Sequence, residues 1–271
     1  MQLHKKLALL ILLLVLFPAC GTDQIPMVIV IPSYNNAQWY EKNLSSILNQ
    51  EYDNYRVIYI DDCSSDQTYQ LVKIFLENHP QGHRVTLFHN DNRCGALYNL
   101  YHAIYSCDDR SVIVTVDGDD WLAHNQVLLR VNQEYQNPNV WLTYGNFIRW
   151  PMQARSFCAI VPPEVIMRNA FRDHPWVTSH LRTFYVGLFK KINYEDLLYQ
   201  GAFCPVAWDM AMMFPMLEMC GDRFKFIPDV LYTYNYETPI NDMKIHYDVV
   251  KKVDMLIRSK QRYKKLNRLF E

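Results

Sequence analysis

The chain carries no surplus of charge: 27 Lys and Arg stand against 28 Asp and Glu over 271 residues. That balance argues against a general nucleic-acid binder, which concentrates positive charge on one face. Its seven cysteines include no CxxC pair, so neither a zinc site nor a thioredoxin-like motif is supported. Their scatter fits core thiols better than a disulfide framework. Internal repeats and low-complexity tracts are absent. The segment PSYNNAQW, which leaves the first expected strand, holds neither glycine nor a basic residue, unlike the glycine-rich basic loop of a nucleotidyltransferase. The acidic segment DGDDW lacks the further Asp and the closing Glu of a calcium loop. The apolar run at residues 7–17 is too short to span a bilayer comfortably.

What the chain does have is material for a core. Half of its residues are apolar and 14% are aromatic, enough for one large α/β domain at this length. The N-terminus stands apart. Lys5 and Lys6 precede the apolar run, and Pro18-Ala19-Cys20-Gly21 follows it. A positive start, a short apolar segment and a small residue before the break form the pattern of an export signal. Ala19-Cys20 resembles a bacterial lipoprotein cleavage site; the alternative is an uncleaved interfacial anchor. Residues 1–24 are therefore expected to be a signal, lipoprotein-like or anchor segment that brings the protein to a membrane, on a side left open.

From residue 25 a rhythm sets in. Strands at 27–32, 55–60, 85–89 and 112–116 alternate with helices at 37–50, 67–78 and 94–105. Such βαβ units predict a mostly parallel sheet flanked by helices, with ligands beyond the carboxyl ends of its strands. The fourth strand ends in Asp117, Asp119 and Asp120 around Gly118. An acidic cluster at that end suits a hard divalent cation and a phosphate-bearing ligand. Past residue 121 the pattern predicts a helix at 126–136, a strand at 140–144, an irregular stretch at 151–175, helices at 193–198 and 210–219, and a strand at 227–234. From residue 242 a basic amphipathic helix is expected, with Val249, Val253, Leu256 and Ile257 as its apolar stripe. It either packs on the core or lies on an anionic membrane.

PSYNN, DDCSSD, NRCGALYN, DGDDW and AWD, in this order, resemble glycosyltransferase family 2 over roughly residues 25–236. The resemblance implies a GT-A-type, Rossmann-like α/β fold with a nucleotide-binding half (25–121) and an acceptor-binding half (122–240); the basic helix (241–271) lies beyond it. It implies an enzyme that moves a sugar from a nucleotide donor with inversion. On that resemblance Pro32, Tyr34 and Asn35 form the turn where a base docks, with Tyr34 stacking on it. Asp62 accepts a hydrogen bond from the uracil imide, which favours a UDP-sugar because cytosine lacks that donor. Gly95 and Asn99 lie beneath the ribose and phosphates. Tyr98 stands where the family often has Arg or Lys, which leaves Arg93 as the nearest cation for the diphosphate.

Asp117 is expected to take a ribose hydroxyl. Asp119 is the expected ligand of Mn²⁺ or Mg²⁺, with Asp117 and Glu237 completing the set and His246 as the other candidate. Asp120 orients a ligand or a loop. The catalytic base is expected at Asp209, with Trp208 as a platform for a sugar ring and Glu195 or Asp196 as the fallback; a plain N-cap is the alternative for Asp209. Trp176 and Arg182 grip acceptor or diphosphate, and His180 is expected to be a satisfied core or loop histidine. The acceptor is a glycan, lipid or protein. Two rival readings remain: a non-catalytic carbohydrate- or membrane-associated protein that has kept the fold, and a sugar nucleotidyltransferase.

Overall fold

Met27–Ser33 (β1) is buried along its whole length, and a continuous apolar run of this kind belongs in the middle of a sheet. It pairs in parallel with Tyr55–Asp61 (β2), which pairs in turn with Val85–His89 (β3). On its other side β1 pairs in parallel with Val112–Thr115 (β4). Tyr40–Leu48 (α1), Thr68–Asn78 (α2) and Ala96–Tyr105 (α3) are the crossovers. In this computed structural model, residues 23–238 and 247–271 are described; all but the last two residues of the signal-like segment at 1–24, and His246, lie outside them. No helix among the described residues is long and apolar enough to cross a membrane.

Beyond β4 the sheet is mixed. Trp121–Leu122 (β5), the helix Val127–Tyr135 (α4), Leu142–Trp150 (β6) and Ala154–Arg155 (β7) follow, then the short helix Pro163–Met167 (α5). Thr183–Tyr185 (β8) runs antiparallel to both β4 and β6. After Val186–Phe189 (α6), the hairpin Leu198–Tyr199 (β9) and Ala202–Phe203 (β10) leads to Trp208–Cys220 (α7), and Phe224–Asn235 (β11) pairs in parallel with β6. The strand order is β3-β2-β1-β4-β8-β6-β11-β5, with β7 on β6. The direction of β8 matters most. Because it runs against β4, the residues just before it, His180 to Arg182, arrive at the carboxyl end of β4 beside Asp117.

Helices cover both faces. Leu44 and Ile47 of α1, Val72 of α2 and Val127 and Val131 of α4 pack on one. Leu97 and Leu100 of α3 pack on the other with α6 and α7. Helix α7 is buried from Met210 to Cys220, as an all-round apolar helix must be. Its Glu218 is matched by Arg172, at 2.6 and 2.9 Å, with both side chains almost fully buried.

Two expectations are corrected here. The sixth strand continues to Trp150 instead of stopping at 144. The basic C-terminal helix is Tyr247–Ser259 (α8), so Lys260, Arg262, Lys264, Lys265 and Arg268 lie beyond it. Val253 and Ile257 of its stripe are buried, whereas Val249 and Leu256 are exposed. The chain after α8 packs by tertiary contact instead: Leu269 is buried, and the Leu266 N–H reaches the Met219 carbonyl at 2.9 Å.

Candidate active site

The acidic loop starts where β4 stops, and three neighbouring elements hold it. Its Gly118 N–H donates to the Pro32 carbonyl at 3.2 Å, and a Cβ there would come within 2.6 Å of Ser33 Oγ and Asn36 Nδ2. Only glycine lets the loop press this closely on the PSYNN turn. Buried Asn43 of α1 donates through Nδ2 to the carbonyls of Asp117 (3.0 Å) and Asp120 (2.7 Å). From β11, the Tyr232 hydroxyl donates to Asp120 Oδ2 and the Asn235 N–H to Asp120 Oδ1, each at 2.7 Å. The Asp117 N–H closes the set by donating to the Tyr232 hydroxyl at 3.1 Å. Asp120 is thus sealed in. Burial, with the neighbouring charges of Asp119 and Asp117, pushes its carboxyl well above the ordinary range.

Arg182, 1% exposed, stands between two carboxylates. Its Nη1 donates to Asp209 Oδ2 at 2.9 Å, and its Nη2 lies 3.8 Å from Asp117 Oδ2. The guanidinium sits 4.9 Å from the centre of the Trp208 ring. Asp209 occupies the first turn of α7, and its Oδ1 accepts the Met210 N–H at 2.9 Å. The N-cap position belongs to Ala207, which enters the helix with a left-handed φ of 49°. Asp117, Trp176, Arg182, Trp208 and Asp209 line one cavity of about 500 Å³.

The residues expected to hold the nucleoside gather at the tips of β1 and β2 and the start of α3. Arg93, exposed at the surface, lies 3.9 Å from the centre of the Tyr34 ring, which places the candidate diphosphate cation beside the candidate base platform. Asn35, at a left-handed φ of 54°, accepts the Ser65 N–H at 2.8 Å and donates its own N–H to Ser64 Oγ at 2.9 Å. Asp62 Oδ1 accepts from the Cys94 N–H (2.9 Å) and Asn90 Nδ2 (2.8 Å), and Oδ2 from the Gly95 N–H (2.8 Å). Burial works to raise this carboxyl. Bonds from the Cys94 amide, the Asn99 and Asn90 side chains and the Gly95 amide outweigh it, and Asp62 falls below its ordinary value. Gly95 takes a φ of 90° at the entry to α3. Asn99 Oδ1 accepts from Asn90 Nδ2 at 2.8 Å.

Ligand atoms of Asp117, Asp120 and His180 lie within 4.8 Å of one another. His180 is 6% exposed and stacks on Tyr232 with ring centres 4.4 Å apart. Burial and the nearby Arg182 hold its pKa well below the ordinary value, so the imidazole is neutral, and its Nδ1 has no hydrogen-bond partner among the described residues. Carboxylates with a neutral imidazole are a donor set that a divalent cation accepts. Of the three ligands read from sequence, Asp117 alone belongs to this group. Asp119 is half-buried in the same loop, and Glu237 is exposed in the electrostatic field of Lys42, whose ammonium lies 3.6 Å from the Trp121 ring centre. The sequence points to His180 only as a core or loop histidine. Its signal was the i, i+2 spacing to Arg182, which sets both at the head of β8.

Residues 28–191, more than half of the chain, match the family model described as glycosyl transferase family 2. The chain belongs to that family. Among family relatives, Glycosyltransferase GlyG of Streptococcus pneumoniae serotype 4 is 28% identical over 221 residues, 76% of this chain and 69% of its own. The Escherichia coli UDP-Glc:alpha-D-GlcNAc-diphosphoundecaprenol beta-1,3-glucosyltransferase WfgD is 29% identical over 119 residues, 44% of each chain. Among solved structures, S. aureus TarS 1–349 in complex with UDP-GlcNAc superposes with a TM-score of 0.64 at 15% identity, over 86% of this chain and 65% of that one. The mannosyltransferase PcManGT from Pyrobaculum calidifontis, in complex with GDP-Man and Mn²⁺, gives 0.59 at 20% identity, over 89% and 67%. These neighbours share the GT-A-type α/β fold of the family.

Proposed function

We propose that the protein is an inverting glycosyltransferase that passes the sugar of a UDP-sugar to an acceptor hydroxyl by direct displacement. One arrangement carries this reading: Asp117 of the acidic loop and Asp209 open into one cavity, with Arg182 between them at 3.8 and 2.9 Å. Asp209, oriented by Arg182 and the Met210 N–H, takes the proton of the acceptor hydroxyl as its oxygen attacks the anomeric carbon. Trp208 and Trp176 offer ring faces to a pyranose. Past the end of β1, outside the lining of that cavity, Tyr34 supports the base. Asp62 Oδ2, which accepts from Gly95, keeps an acceptor position for the uracil imide. Nucleotide-sugar complexes among the neighbours support the donor class.

The crowded carboxylates and the neutral imidazole fit a divalent cation, Mn²⁺ or Mg²⁺. Asp119 and Asp117 would hold it, with His180 beside Asp117. Such a cation would neutralise charge on the departing diphosphate. The acceptor is a glycan, lipid or protein. Attachment to a membrane through residues 1–24 rests on the sequence pattern, and deleting them should move the protein from the membrane to the soluble fraction.

Nucleotide release from a panel of UDP-sugars and GDP-mannose, with and without Mn²⁺, tests the reading. Release from one UDP-sugar, stimulated by Mn²⁺, is expected. A preference for GDP-mannose would overturn the donor assignment, and metal-independent release the cation. Silence across the panel would favour the non-catalytic rival.

A further inference from the structure

Two arginines line the cavity, and together they hold more donor capacity than the chain uses. Arg182 is buried, yet its Nη2 has no hydrogen-bond partner among the described residues; the 3.8 Å to Asp117 is within ion-pair reach but too long for a hydrogen bond. Arg149 lies near the carboxyl end of β6 and is half-buried. Among the described residues its guanidinium has no hydrogen bond, ion pair or ring contact. Phe147, Phe157 and Tyr236 line the cavity with it. A guanidinium stays charged at every relevant pH. Keeping one partly desolvated and unpaired is costly unless an anion completes it.

The sheet order says which substrate brings that anion. The nucleoside residues sit on β1 and β2, to one side of β4. Arg149 sits on β6, two positions beyond β4 on the other side. Arg182 and Asp209 come between. A ligand that reaches Arg149 past the base is therefore the acceptor. A phosphate offers three acceptor oxygens and up to two negative charges, enough to accept from both guanidinium groups at once.

We propose that Arg149, with Nη2 of Arg182, forms a phosphate subsite, and that the acceptor carries a phosphate next to the hydroxyl that is glycosylated. This rests on the transferase reading above for the word acceptor, but the subsite can be tested without it. The full chain is saturated with UDP and Mg²⁺, and glycerol 3-phosphate is titrated in while its ³¹P line width is followed. Neutral glycerol is the control for the apolar walls, competing for the same protein. We expect broadening by wild type, weaker by about tenfold or more in apparent affinity for Arg149→Gln, as for loss of a charge-assisted hydrogen bond, and partly restored by Arg149→Lys. Calorimetry should give the same UDP affinity for wild type and Arg149→Gln. The proposal is overturned if the phosphate line never broadens, if Arg149→Gln broadens it as wild type does, or if glycerol competes equally. It is also overturned if UDP expels the phosphate, or if Arg149→Gln weakens UDP itself, since Arg149 would then serve the donor. Should UDP fail to bind at all, the donor reading falls. The phosphate titration on the free protein then decides the subsite alone.

Discussion

At the scale of single residues the site depends on which carboxylates are exposed to the cavity and which are sealed behind it. Asp209 keeps 22% of its side chain exposed, while Asp120 is closed off at 1%. Asp209→Asn retains an oxygen for Arg182 but removes the base. Turnover should fall by about 10²–10⁴, with UDP affinity within about twofold of wild type by calorimetry; equal losses in both would count against the base. Asp119→Ala should weaken UDP binding with Mn²⁺ present and leave the metal-free affinity nearly unchanged. Gly118→Ala asks the loop for room it lacks, since the new methyl would lie 2.6 Å from Ser33 Oγ and Asn36 Nδ2. A cost of about 1–3 kcal/mol is expected, read as a lower melting temperature and weaker UDP binding together.

Elements are positioned by a few polar locks. Asp62 ties the end of β2 to the turn before α3. Its pKa in the fold lies below its ordinary 3.8, so the stability it supplies is complete above that range. It is lost as pH falls through the folded value. Wild type should therefore exceed Asp62→Asn by a constant margin in urea midpoint from neutral pH down to about 5, and the gap should close below about 4. On the opposite face Glu218 of α7 holds Arg172, and Arg172 Nη1 reaches the Ile257 carbonyl of α8 at 2.5 Å. Glu218→Gln leaves a buried guanidinium uncompensated, and a loss of about 3–5 kcal/mol in chemical denaturation is expected. The parallel half was legible because unbroken apolar runs bounded by turns admit few alternatives. The antiparallel β8, three residues long, was not: no periodicity can declare so short a strand.

For the molecule as a whole, the C-terminal stretch closes the core beneath the cavity. The Tyr263 N–H donates to Glu218 Oε2 at 2.9 Å, and its hydroxyl reaches Asp196 at 2.5 Å. Asp196, the fallback base, is thus engaged in tethering this stretch. Phe270 packs edge-on against Tyr185 at 5.2 Å. Removing residues 263–271 should cost a few kcal/mol of burial, which for a chain of this length lowers the melting temperature by on the order of 10 °C. UDP affinity measured well below that temperature should be unchanged, because none of these side chains lines the cavity. A loss of UDP binding with stability intact would contradict this division.

Read alone, the sequence determined the βαβ half, the acidic loop at the end of the fourth strand and the family to which the motifs point. Those features are local: apolar runs, turn residues and short motifs report on their own neighbourhoods. Only the tertiary structure decided that Arg182 spans Asp117 and Asp209, that His180 joins Asp117 and Asp120 beside the acidic loop, and that Arg149 faces the cavity with no partner among the described residues. Each of these depends on the reversed direction of β8 and the pairing of β6 with β11. Such long-range pairings set which distant side chains meet, and local pattern carries no record of them.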